Sequence, residues 1–249
     1  MRRLKPPFVV AVVVEKSAFE AQRSLRAAFR EGADAAELNL APLTSMPRRL
    51  FSSARPIYTS CRRAAFMGIY GAAFAKLPVL NDEARMERQL AALELGSAGL
   101  DIEADTFAQS ADEWSQVRRA VVRQQRLSEL TRRQGCTTIF SWHPPRKLTL
   151  PEARRRARLL RDRGADFVKI VEVVRSREEA LDSLRISLTL REELNFPFVF
   201  LALGREAVRF RPLMTRLGSA YLLARPSRGA NRLPAQPTIA TARAVLAIP

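Results

Sequence analysis

The sequence predicts an α/β fold, a single-domain (β/α)8 TIM barrel, and three observations carry that expectation. Short runs of β-formers alternate with amphipathic segments from end to end. Eight such pairs fit into 249 residues, about the length that a (β/α)8 barrel takes. No linker, internal repeat or shift in composition divides the chain. A doubly wound sheet is the runner-up, but it commonly uses fewer strands over this length.

Taken in order, the first strand-like run is 8–14, FVVAVVV, behind two arginines and a lysine. That start resembles a secretion signal. The run is short, however, Glu15 and Lys16 close it, and no small-residue cleavage site follows within it. Its valines suit a buried strand. Helical periodicity then covers 17–32 and ends on Gly32, before a second strand at 35–40 (AAELNL) and a third at 56–61 (PIYTSC). A helix over 82–96 leads through Gly99, read as its stop, into a fourth strand at 100–104 (LDIEA). The next helical segment, 113–135, ends on Gly135, and TTIFSW (137–142) is the fifth strand. Thr149 and Pro151 mark the start of another helix, which Gly164 closes. The sixth strand, 167–174, reads FVKIVEVV, and helix 176–194 follows it. The seventh and eighth strands are 196–203 and 219–224. The stretch RPSRGANRLPAQP (225–237) then forms a loop that would reach over the site.

Lys+Arg number 42 and Asp+Glu 25, a net charge of +17. Such a balance favours anionic partners. Much of it is arginine spread along helical segments, as in EARRRARLLRDR (152–163), which reads as a solvated face. No zinc spacing, aromatic RNA-binding motif or helix-turn-helix pattern accompanies it, so nucleic-acid binding is expected only as a non-specific, salt-sensitive affinity. Cys61 and Cys136 fit neither a disulfide framework nor a metal site and point to a reducing compartment. No apolar stretch reaches membrane-spanning length, and the expected location is the cytoplasm.

The sixth strand holds a lysine, Lys169, among residues that read as buried on both faces. Burying an ammonium is unfavourable unless it is paired or loses its proton. In a (β/α)8 barrel the chemistry gathers where strands end in βα loops, and that rule assembles a set. His143, the single histidine, ends the fifth strand; Arg62 ends the third; Glu37 and Asn39 lie in the second, and Asp101 and Glu103 in the fourth. Arg211 and Gln236 belong to the seventh and eighth loops. Desolvation leaves a lysine amine neutral and nucleophilic, able to form a Schiff base with a ketone, and an adjacent histidine can move the acidified proton. The pair suits aldol-type cleavage or β-elimination on a carbonyl substrate. Arg62 and Arg211 would hold a carboxylate. Glu37, Asp101 and Glu103 could equally serve as supporting carboxylates that neutralise the lysine, or salt-bridge it without any catalytic role.

These residues sit in motifs that resemble the type I 3-dehydroquinate dehydratases of the shikimate pathway. GADAAELNLAPL looks like that family's second strand, IYTSCRRAAFMGIYG like its arginine segment and GLDIEADTF like its fourth strand. TIFSWHPP resembles the histidine strand and GADFVKIVEVVRS the lysine strand. LALGREAVRFRPLMTRLGSAYLLA and RLPAQPTI follow the family's last two segments, so the resemblance covers nearly the whole chain in order. It implies that Lys169 forms the imine and His143 is the general acid/base. It further implies that Arg62, Arg211, Gln236 and Glu37 hold 3-dehydroquinate while water is lost to give 3-dehydroshikimate. No metal or organic cofactor is implied, and the implied assembly is a homodimer.

The chain also departs from the pattern. Phe66 stands where the family has the glutamate that partners its histidine, Asn39 replaces an arginine, and Phe210 and Arg232 replace serines. Met67 and Ala235 replace glycines. Arg232 could restore the charge lost at Asn39. The alternative expectation is accordingly an impaired or re-purposed Schiff-base barrel acting on, or binding, another small keto acid.

Overall fold

A computed structural model describes residues 6–63, 79–207, 209–229 and 236–247. Strand and helix alternate as the hydrophobic periods require. β1 (Phe8–Val14), β2 (Ala35–Asn39), β3 (Ile57–Ser60) and β4 (Gly99–Glu103) are buried at every position. So are β5 (Thr137–Trp142) and β8 (Tyr221–Ala224), while β6 (Phe167–Val173) and β7 (Phe198–Leu203) are buried up to their last residue. Continuous burial is what a parallel sheet covered on both faces demands, and it explains why these runs are apolar rather than alternating. The paired strands are parallel, in the order β7-β6-β5-β4-β3-β2-β1-β8. This is the (β/α)8 class of fold.

The chain divides into two compact units, one built on Phe8–Asp101 with Leu223–Pro249 and the other on Ile102–Leu222. In the first, α1 (Ala18–Arg30) is capped by the Ser17 hydroxyl, which accepts from the Glu20 amide, and α2 (Asp82–Glu94) by Asn81. From α2, Gln89 donates to the carbonyls of Thr59 and Asp101, at 3.0 and 2.9 Å, tying the ends of β3 and β4 together. α7 (Ile239–Ala247) closes this unit through Arg243, whose guanidinium meets the Gly32 carbonyl and Asp34.

In the second unit, α3 (Arg118–Arg133), α4 (Leu150–Asp162), α5 (Arg177–Glu193) and α6 (Arg211–Arg216) alternate with β5, β6 and β7. Thr149 caps α4 with Pro151 in its first turn, as the sequence predicts. Gly32, Gly135 and Gly164 end their helices at positive φ.

Two expectations are corrected. Gly99 does not stop a helix; it opens β4, and Gly96, at φ +108°, takes the left-handed position behind α2. The helix expected over 113–135 begins only at Arg118. Residues 113–117 belong to the connection after β4, where Glu113 adopts φ +50°. A residue in that conformation cannot continue a right-handed helix.

Candidate active site

In the first unit, sheet register puts Glu37 and Asn39 of β2 beside Tyr58 and Ser60 of β3, and Ser60 beside Asp101 of β4. Arg62 is two residues beyond Ser60, so the strand period brings Glu37, Asn39, Arg62 and Asp101 to one face. The Arg62 guanidinium, 2% exposed, donates to Asp101 Oδ2 at 2.6 Å and to Glu37 Oε1 at 3.2 Å. One cation thus lies between two buried carboxylates, a net negative trio that orients the guanidinium by charge-assisted hydrogen bonds. Asn39 Oδ1 accepts from the amides of Ala41 and Arg62, at 3.1 and 3.3 Å. Its carboxamide therefore sets the backbone from which Arg62 projects. Gln236 is 3% exposed, next to the point where Arg225 and Thr238 form a bridge.

In the second unit, Ser141 of β5 pairs in register with Lys169 of β6. His143 is two residues beyond Ser141, so it shares the face of Lys169, one strand over and one pleat further along. Lys169 is 1% exposed and His143 7%. Glu113 comes to the ring: its Oε2 lies 3.5 Å from His143 Nδ1. Arg211, 1% exposed, is the first residue of α6, and Glu103, 2% exposed, ends β4.

The supporting ionisable groups have clear roles. Glu172 is three residues beyond Lys169 and so on the opposite face of β6, where its carboxylate accepts from the Leu148 amide at 2.7 Å and from Ser183. Burial pushes its carboxyl above the usual range, against the opposing pull of Ser183 and Lys147. It anchors the loop that leaves His143. Arg163 is buried beneath the connection after β4 and donates to the carbonyls of Ala104 and Ser115. Burial lowers its guanidinium to about 10.

The structure therefore gathers Glu37, Asn39, Arg62 and Asp101 in one unit and Lys169 with His143 in the other. Arg232 and Phe66 lie outside the described residues, as do Met67 and Ala235. Sequence reasoning missed Glu113, because it stood as the first residue of the expected helix 113–135. The turn formers of SADEWS (110–115) are the signal that could have marked a loop. Among the described residues no cluster of histidine, cysteine or acidic side chains has the makings of a metal site, and no helix is long and apolar enough to cross a membrane.

Residues 9–249 match the sequence family described as Type I 3-dehydroquinase. A search of curated proteins finds no match. Among solved structures, the chain resembles the type I 3-dehydroquinate dehydratase of Clostridium difficile with covalently modified comenic acid. There the identity is 13% and the TM-score 0.77, over 98% of this chain and 92% of that one. The 3-dehydroquinate dehydratase of Geobacillus kaustophilus aligns at 20% identity and a TM-score of 0.74, over 96% and 90%. That of Enterococcus faecalis aligns at 17% and 0.72, over 92% of each chain. Likeness at such identities speaks to the fold, and the family match speaks to descent across nearly the whole sequence. The chain belongs to the type I 3-dehydroquinase family, and with that membership it is a dehydratase, a hydro-lyase.

Proposed function

We propose that this protein converts 3-dehydroquinate to 3-dehydroshikimate and water through a Schiff base on Lys169, with His143 as the general acid/base. The observation that carries the reading is the pair itself: an amine and an imidazole, both buried, on one face of adjacent strands in a dehydroquinase chain. The Lys169 amine adds to the substrate ketone and expels water to give an iminium. The iminium accepts the electron pair left when His143 removes a proton from the neighbouring carbon. His143 then returns that proton to the departing hydroxyl, which leaves as water, and hydrolysis frees the product and restores the amine. In this reading Arg62, Arg211, Glu37, Asn39 and Gln236 bind the substrate's carboxylate and hydroxyls, with Asp101 and Glu103 as supporting carboxylates and Arg232 as a further cation. The protein works as a single domain in the cytoplasm, as a homodimer, without a metal or organic cofactor.

Incubation with 3-dehydroquinate and borohydride, followed by intact-mass measurement, tests this reading. The expected result is an adduct with the mass of the dehydrated product on Lys169, absent in Lys169→Ala. An adduct heavier by one water would show imine formation without elimination and favour a re-purposed barrel. The absence of any adduct would remove 3-dehydroquinate as the ligand.

A further inference from the structure

We infer that Glu113, in the connection between β4 and α3, is the positioning residue for His143. Its carboxylate holds the ring through Nδ1 and balances the charge the ring acquires when it takes a proton. The inference rests on the reading of His143 as the general acid/base.

Four observations carry it. Glu113 Oε2 lies 3.5 Å from Nδ1, two buried atoms that face each other at ion-pair distance without a hydrogen bond between them, with the His143 side chain 5% exposed and the Glu113 side chain 25% exposed, so solvent screens the pair only in part. An imidazole held at Nδ1 presents Nε2 to reacting atoms in a defined protonation state. Glu113 also adopts φ +50°, a conformation that residues other than glycine take at a cost and that persists where the surroundings over-determine it.

The surroundings do so through His143's own neighbour. The indole of Trp142 donates to the Asp112 carbonyl at 2.6 Å, and its ring packs edge-on against Trp114 at 5.3 Å. Both residues flanking Glu113 are thus fastened to the residue preceding His143. Ser110 bonds to both the amide and the carbonyl of Trp114, and Arg163 anchors the two ends of the connection at Ala104 and Ser115. Finally, Phe66 stands where the family resemblance places the carboxylate partner of the histidine, and phenylalanine offers no acceptor or charge. Glu113 supplies such a carboxylate from a different segment of the chain.

His143 is the chain's only histidine, so long-range 1H–15N spectra of the labelled protein report on one imidazole without assignment. The neutral ring is expected to carry its proton on Nδ1 in the wild type and to shift toward the Nε2–H form in Glu113→Ala. Glu113→Gln keeps the shape and an acceptor but not the charge. It is expected to lower kcat for 3-dehydroquinate by roughly tenfold to a hundredfold with KM unchanged, as loss of an orienting partner does. Superimposable ring spectra in wild type and Glu113→Ala would overturn the inference, as would an unchanged kcat in Glu113→Gln. The spectra need no substrate, so they decide the positioning role even if 3-dehydroquinate proves not to be the substrate.

Discussion

At the scale of single residues, the trio around Arg62 shows how charge is kept inside this protein. A buried guanidinium tolerates its environment because Asp101 and Glu37 share it. Asp101→Ala removes the contact at 2.6 Å and keeps the one to Glu37 at 3.2 Å. The expected loss is about 3 kcal/mol of stability, read as a lower urea midpoint. A midpoint equal to wild type would mean that Arg62 is solvated or paired well enough without Asp101. Asn39 has a related structural part to play. The sequence reading assigns it to the substrate, and the structure adds that its carbonyl oxygen orients the Arg62 backbone.

At the scale of elements, the loops that leave β4, β5 and β7 are held by specific devices. Glu172 fastens the β5–α4 loop from the outer face of β6. Burial raises its folded-state carboxyl above the unfolded one, so between those two values the folded protein binds more protons than the unfolded chain. The contribution of Glu172 to stability is therefore greatest in acid and is lost as pH rises through that window. Glu172→Gln should flatten this dependence, and the variant should gain on wild type in urea titrations as pH rises above the ordinary carboxylate range. A difference that stays constant with pH would show that the carboxyl is not raised. Gly204, just past β7, has φ +126°, and a Cβ there would collide with the Val174 carbonyl. Gly204→Ala is expected to destabilise the protein by more than the roughly 1 kcal/mol of an unstrained exchange, measurable by the same titrations. A neutral result would mean that this backbone shifts freely.

At the scale of the whole molecule, the charge of +17 is an electrostatic property more than a site. Exposed arginines such as Arg119, Arg123 and Arg126 on α3 and Arg155 and Arg158 on α4 carry part of it. The expected behaviour is binding to a random-sequence RNA in a filter assay at low salt that disappears near physiological salt, since such affinity comes from counterion release. Retention at physiological salt would reveal a nucleic-acid function that the family does not account for. In the described residues, most elements were legible to within a residue or two, because hydrophobic period and helix caps are local properties; the helix expected from 113, which starts at Arg118, is the exception. Lys169 and His143 were legible for a related reason: a charged residue inside a buried strand and a lone imidazole at a strand end stand out against their neighbours.

By itself, then, the sequence determined the alternation of strands and helices, the place of Lys169 and His143 on consecutive strands, and the family to which the chain belongs. Each follows from spacing along the chain or from motif order, which folding preserves. Only the tertiary structure decided which carboxylates meet Arg62 and that Glu113 leaves the helix to reach His143. Those outcomes depend on contacts between distant segments, such as the Trp142 indole on the Asp112 carbonyl 30 residues away. Helical periodicity reaches back to Glu113, and the turn formers around it together with a fixed aromatic and hydrogen-bonded clamp outweigh that modest helical propensity.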